Sequence, residues 1–349
     1  MTKVYQAEKE PIQVFGLPML YETGEWRRLP ESLMNQVPTI YQFGALVTGA
    51  RIGFRTDAAE FTLRCRIKLQ VENEASSWLF STGFNVYAGE RCNARYLGHL
   101  CLMESNKDWV TIEKTFVKGA GMEDVIIFLS SQVHVKSCEI VMEEDAKVEA
   151  PTPYRYSKPV VYYGSSITAG GAASRAGNTY VSLLSRWLDT DYMNFGFPGN
   201  ARGEIPVAEY IKDIDMSVFV YDYDHNAATP EELRKTHKPF FDVIRQSNPD
   251  LPIIMMTRPC GDDDPEDREL RRQVVLDTYH AALAAGDKNV YFVDGKELLG
   301  DEDRHAYSID LIHPTDLGFM RMAKGVLPIL RQALNGKNEI NIIKKEREQ

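Results

Sequence analysis

From Phe61 to Val71 the chain alternates with period two. Phe61, Leu63, Cys65, Ile67, Leu69 and Val71 are apolar, and Thr62, Arg64, Arg66, Lys68 and Gln70 between them are polar. Successive side chains of an extended chain point to opposite faces, so this pattern predicts a strand with one face on a core and the other in water. Further β-prone runs follow at 83–88, 110–117, 125–130 and 135–142, separated by Gly, Asn and Asp. Many short strands with turn residues between them predict an antiparallel, jelly-roll-like β-sandwich over residues 1–150.

After Pro151-Thr152-Pro153 the rhythm changes. Short apolar runs alternate with helical periodicity: 160–163 then 180–188, 192–195 then 205–211, 218–221 then 231–246, 253–257 then 265–285, and 291–293 then 316–334. Strands that each lead into a helix predict a five-stranded parallel sheet covered on both faces, a three-layer α/β/α domain over residues 151–336. Residues 337–349 read as a charged, solvated tail, with Lys344, Lys345 and Arg347 diluted by Glu346 and Glu348. Ligands of doubly wound sheets bind beyond the C-terminal ends of the strands, so the loops there are where chemistry is expected.

The first such loop is Gly164-Ser165-Ser166-Ile167-Thr168-Ala169-Gly170-Gly171. A serine in a glycine-bounded turn from strand to helix lies near backbone N–H groups that can hold an oxyanion. An ordinary polar connection uses the same residues, and a phosphate cradle would need the P-loop lysine or dinucleotide glycine spacing, both absent. The second loop, Asn194-Phe195-Gly196-Phe197-Pro198-Gly199-Asn200, lets the backbone at Gly199 approach a ligand. The third is Asp222-Tyr223-Asp224-His225-Asn226. No second histidine stands at ligand spacing to it, so neither a metal nor another cofactor is expected. Thr257-Arg258-Pro259 follows the fourth strand, where Arg258 either lines a pocket or pairs with Asp262, Asp263 or Asp264. Asp310-Leu311-Ile312-His313-Pro314 precedes the last helix. There an aspartate could set the tautomer of a histidine that takes a serine's proton. The plainer alternative is a loop histidine before a helix capped by Thr315 or Asp316.

Composition narrows the partners. A formal net charge of −10 argues against nucleic acid and anionic membranes, which need basic patches. The five cysteines, Cys65, Cys92, Cys101, Cys138 and Cys260, include no Cys-x-x-Cys pair. The first residues lack the apolar run of a secretion signal and no segment is long enough to span a bilayer, which predicts a reducing cytoplasm. A homo-oligomer is left open.

Taken together, the motifs resemble those of the SGNH (GDSL-like) hydrolases: Gly164-Ser165-Ser166-Ile167-Thr168, Gly199, Asn226 and Asp310-Leu311-Ile312-His313-Pro314. The resemblance implies Ser166 as nucleophile, His313 as base, Asp310 as its orienting acid, and an oxyanion hole of the Ser166 and Gly199 N–H groups with the Asn226 amide. It is similar above all to the two-domain branch with an N-terminal β-sandwich, on Arg28-Leu29-Pro30, Gly53-Phe54-Arg55-Thr56-Asp57 and Gly83-Phe84-Asn85-Val86-Tyr87. Two departures stand out: Ser165 replaces the usual aspartate, and Asp222-Tyr223-Asp224-His225-Asn226 replaces a Gly-x-Asn-Asp block, leaving His225 a rival donor to Asn226. The resemblance implies a serine esterase acting on O-acetyl esters of carbohydrates, as in polysaccharide degradation. Lipase or thioesterase action on longer chains and an inactive carbohydrate-binding role are the alternatives. Asp224, His225 and Arg258 are candidate substrate contacts, and the sandwich is expected to wall one side of the cleft.

Overall fold

A computed structural model describes residues 1–70, 76–105 and 108–336. Val71, at the end of the alternating run, and the charged tail lie outside the described residues. The first half holds strands β1 Thr2–Gln6, β2 Gln13–Phe15, β3 Arg51–Thr56, β4 Glu60–Leu69, β5 Phe84–Ala88, β6 Arg95–Leu100, β7 Val110–Val117, β8 Glu123–Phe128, β9 Val133–Glu143 and β10 Val148–Glu149. They form two antiparallel sheets, ordered β1-β9-β4-β7 and β10-β3-β8-β5-β6, with β2 paired to β3. The alternation in β4 works as read: Phe61, Leu63, Cys65, Ile67 and Leu69 are buried. They join Ile52, Phe54, Val86, Phe116, Ile127 and Ile140 in one core.

The second half carries β11 Tyr156–Gly164, β12 Thr190–Gly196, β13 Val218–Asp222, β14 Ile253–Met256 and β15 Val290–Val293. They pair in parallel in the order β12-β11-β13-β14-β15. Helices Tyr180–Leu188, Ile205–Ile211, Pro230–Ser247, Pro265–Ala284 and Asp316–Asn335 follow in turn. The chain order reverses around β11, so the switch point where doubly wound sheets bind ligands falls between β11 and β13.

The two halves share buried surface. Short helices at Pro18–Thr23 and Glu31–Gln36, which the pattern of the sequence does not announce, lie between β2 and β3. Leu29, Leu33, Met34, Val37 and Ile40 pack with Val161, Tyr163, Phe195 and Val207 on one face of the parallel sheet. Phe80, Tyr87, Ile126 and Phe128 join Tyr162, Tyr180 and Phe319 on the other.

β12 is an edge strand, and its outward carbonyls need donors. Two buried arginines from the first half supply them. Arg51 donates to the Tyr192 carbonyl at 3.0 Å, and Arg28 to those of Asn194 and Gly196 at 2.7 and 3.0 Å.

Candidate active site

β11 ends at Gly164 against the end of β13. A Cβ there would lie 2.0 Å from both the Asp222 carbonyl oxygen and Thr168 Oγ1, so only glycine lets the chain turn here. The Ser165 N–H then donates to the Asp222 carbonyl at 3.1 Å. Ser165 Oγ caps the next turn by accepting from the Ile167 N–H at 3.1 Å. Capping is work that serine and aspartate both do well, which accounts physically for serine at this position. The turn delivers Ser166, 9% exposed, to the rim of a cavity.

The opposing loop is built around Asp310. Its Oδ1 accepts from the N–H groups of Ile312 and His313 at 3.0 and 2.7 Å, with the intervening Leu311 turned back at φ 66° just after Asp310. Its Oδ2 lies 2.6 Å from His313 Nδ1. A carboxylate at Nδ1 places that ring's proton there, leaving Nε2 as an acceptor. His313 Nε2 sits 2.8 Å from Ser166 Oγ. Partial burial pushes the Asp310 pKa up, but the donors from His313 and Ile312 outweigh it and hold the carboxyl below its usual range. Asp316, at the start of the last helix, accepts from the Ser174 N–H at 2.7 Å and Asn178 Nδ2 at 2.7 Å, tying this loop to the segment after the nucleophile.

Two N–H groups are available nearby. Neither the Ser166 nor the Gly199 N–H has a backbone acceptor among the described residues. Gly199 adopts φ 68°, a conformation that favours glycine. Asn226 Nδ2 donates to the Phe197 carbonyl at 3.0 Å, which anchors the amide to the Gly199 loop and leaves its second hydrogen for a ligand.

Asp224 and Arg258 sit behind this surface, 2% and 5% exposed. Arg258 spends its guanidinium on His225 Nδ1 at 3.0 Å and Asp267 Oδ2 at 2.9 Å. Neither arrangement expected for Arg258 occurs: it is sealed from the cavity, and Asp262 pairs instead with Arg268 and Arg304. Of the three candidate substrate contacts only His225 is partly exposed, and the burial of Asp224 and Arg258 keeps them from a ligand. Asp222, at the end of β13, was read only as part of its loop. Its Oδ2 accepts from Thr168 Oγ1 at 3.0 Å and Tyr180 OH at 2.9 Å, and burial, then the neighbouring Asp224 carboxylate, raises its pKa to about 7.

The cavity at Ser166 measures about 100 Å³. Ala169, Gly171, Ala172, Pro198 and His313 line it from the second half, and Phe43, Leu46, Thr48, Phe80, Ser131 and Gln132 from the first. Among the described residues no group of three metal-ligating side chains comes together, and no helix is long and apolar enough to cross a membrane.

A serine at the switch point of a three-layer α/β/α sheet, linked to a histidine and an aspartate, has the geometry of an SGNH-type hydrolase. Residues 157–331 match the GDSL-like lipase/acylhydrolase family, and the chain belongs to it. It is similar over nearly its whole length to solved structures. A candidate GDSL-like lipase from Bacteroides ovatus ATCC 8483 shares 26% identity with a TM-score of 0.85, over 97% of this chain and 99% of that one. The salicylyl-acyltransferase SsfX3 of a tetracycline biosynthetic pathway shares 19%, TM-score 0.76, over 95% and 97%. A family two carbohydrate esterase from Cellvibrio japonicus shares 14%, TM-score 0.63, over 96% and 98%. No curated protein matches the sequence significantly.

Proposed function

We propose that this protein is a serine esterase that removes short acyl groups, acetyl above all, from the hydroxyls of carbohydrates. The observation that carries the reading is the unbroken path Asp310 Oδ2, His313 Nδ1, His313 Nε2, Ser166 Oγ, with steps of 2.6 and 2.8 Å on either side of the ring. Ser166 Oγ attacks the ester carbonyl as His313 Nε2 takes its proton, and the Ser166 and Gly199 N–H groups with Asn226 hold the oxyanion. The C–O bond to the alcohol then breaks, His313 returns the proton to the leaving oxygen, and an acyl-serine remains. Water, deprotonated by His313, attacks that ester and releases the acid.

The cavity supports a short acyl group. At about 100 Å³ it is smaller than the roughly 150 Å³ pocket that holds benzene in an engineered core. Phe43, Leu46 and Phe80 give it apolar walls that suit a methyl group. The carbohydrate preference rests on likeness to the carbohydrate esterases, which share the two-part architecture. Hydrolysis of p-nitrophenyl acetate, butyrate and octanoate, followed by acetate release from acetylated xylo-oligosaccharides, tests both parts. Acetate turnover falling steeply with chain length is expected; preference for octanoate overturns the acyl assignment.

A further inference from the structure

Two histidines on loops beyond the strand ends carry groups of opposite charge against their Nδ1 atoms. His313 Nδ1 faces the Asp310 carboxylate, and His225 Nδ1 lies 3.0 Å from an Arg258 guanidinium nitrogen. Guanidinium has donors only, so Nδ1 of His225 accepts. In the neutral ring the proton is then on Nε2.

The surroundings hold that arrangement firmly. Asp267 Oδ2 binds Arg258 at 2.9 Å and Arg271 Nε at 2.6 Å. Arg271 also donates to the carbonyls of Asp224 and Ala227 at 2.8 and 2.7 Å, and the Arg258 N–H donates to Asp224 Oδ2 at 3.1 Å. The turn Asp224–Asn226 is therefore clamped from the end of β14 and from helix Pro265–Ala284. Gly261 lies over the guanidinium, where a Cβ would come within 2.8 Å of Arg258 Nε. Burial first, then Arg258, with His313 and Arg271 adding and Asp263 opposing, lowers the His225 pKa to about 4. The Gly261 N–H donates to the Leu311 carbonyl at 3.1 Å, tying the loop that carries Arg258 to the loop that carries His313. His225 Nε2 donates to no acceptor among the described residues, and its ring is only partly buried.

We propose that His225 is a fixed-tautomer hydrogen-bond donor for the alcohol part of the substrate, presenting Nε2–H where His313 presents a basic Nε2, with Asp267 and Arg258 setting that polarity. The proposal rests on the esterase reading. The alcohol side is favoured because the leaving oxygen must face His313, which returns its proton. The acyl cavity, by contrast, is lined by no residue of the turn Asp224–Asn226. A polyol offers hydroxyl or ring oxygens as acceptors; a p-nitrophenyl group offers none in the same place. A neighbouring cation also makes the imidazole N–H a stronger donor.

The test compares xylose tetraacetate with p-nitrophenyl acetate. His225→Phe keeps a ring without the donor, and His225→Gln restores an N–H near the Nε2 position. The phenylalanine variant is expected to lose about ten- to hundredfold in kcat/KM on xylose tetraacetate, the worth of one strengthened hydrogen bond. On p-nitrophenyl acetate it should stay within about threefold, and the glutamine variant should recover most of the loss. Equal losses on both esters, or none on either, overturn the proposal. Independently, 15N spectra of labelled histidine should show His225 neutral and protonated at Nε2 between about pH 5 and 8. An Nδ1–H tautomer or a titration in that range overturns it as well. A wild type that cleaves neither ester overturns the esterase reading itself, a result recognisable before any variant is made.

Discussion

Arg28 donates from its guanidinium to the Asn194 carbonyl at 2.7 Å, joining the N-terminal half to the strand that leads into Gly199. The same group reaches Gly196 at 3.0 Å and the Phe43 carbonyl at 2.5 Å, and lies over the Phe197 ring at 4.9 Å. No carboxylate pairs with it among the described residues, and full burial lowers its pKa to about 9. Replacing it leaves the Asn194 and Gly196 carbonyls without these donors, while the Phe43 carbonyl keeps the Leu46 N–H. Arg28→Met should lose at least about 2 kcal/mol of stability by denaturant titration. In the protein that remains folded, kcat should fall about tenfold or more through displacement of the Gly199 N–H. Arg28→Lys, which keeps the charge and some donors, should fall between.

The same packing predicts the fate of a shortened chain. Beginning at Pro153 removes Leu29, Leu33, Met34, Val37 and Ile40 from one face of the parallel sheet and Phe80 and Phe128 from the other. It also removes the donors to the β12 edge. Such a chain should lack a cooperative melting transition and any activity on p-nitrophenyl acetate; a folded, active product would show that the halves are energetically independent.

Asp222 ties stability to pH. Its carboxyl is raised from 3.8 to about 7 in the folded protein, by burial and then by Asp224. Between those values the folded chain holds a proton that the unfolded chain releases. Stability therefore falls as pH rises through that window, by an amount on the order of 2–4 kcal/mol shared with Asp224. Asp222→Asn, still able to accept from Thr168 and Tyr180, should flatten this slope in melting curves taken from pH 4 to 8. An unchanged slope would mean that other groups set it.

Acyl-chain length should follow the cavity wall. Phe43 is half-buried and contributed by the first half. Phe43→Ala is expected to raise kcat/KM on butyrate relative to acetate by about tenfold or more, as space for a single methylene is worth about 1–3 kcal/mol. An unchanged ratio would place the acyl group elsewhere.

Much of this was legible in the sequence, and the limits have physical causes. The five parallel strands and their helices were readable because strands buried on both faces give continuous apolar runs, and Val218–Asp222 is buried throughout. Ser166 and His313 were readable because each ends or precedes such an element. Helix Glu31–Gln36 spans under two turns, too short for a 3.6-residue rhythm to show. Nothing in the local pattern marks Arg28 and Arg51 for burial, since their work is to satisfy an edge strand over a hundred residues away in sequence. The polarity of His225 depended on Arg258, whose guanidinium direction no local spacing encodes.

The oxyanion assignment has its own check. Asn226→Ala should lower kcat about a hundredfold with little change in KM, the usual loss for one donor. His225→Ala should spare p-nitrophenyl acetate. The reverse pattern would exchange the two roles.

The most direct measurement is the hydrolysis of p-nitrophenyl acetate by Ser166→Ala, His313→Ala and the double variant, each checked for an unchanged melting curve. Because Ser166 and His313 act as one proton-transfer unit, each single change should lower kcat by about a thousandfold or more, and the double change should cost no more than either. Near-wild-type turnover in Ser166→Ala would contradict the account.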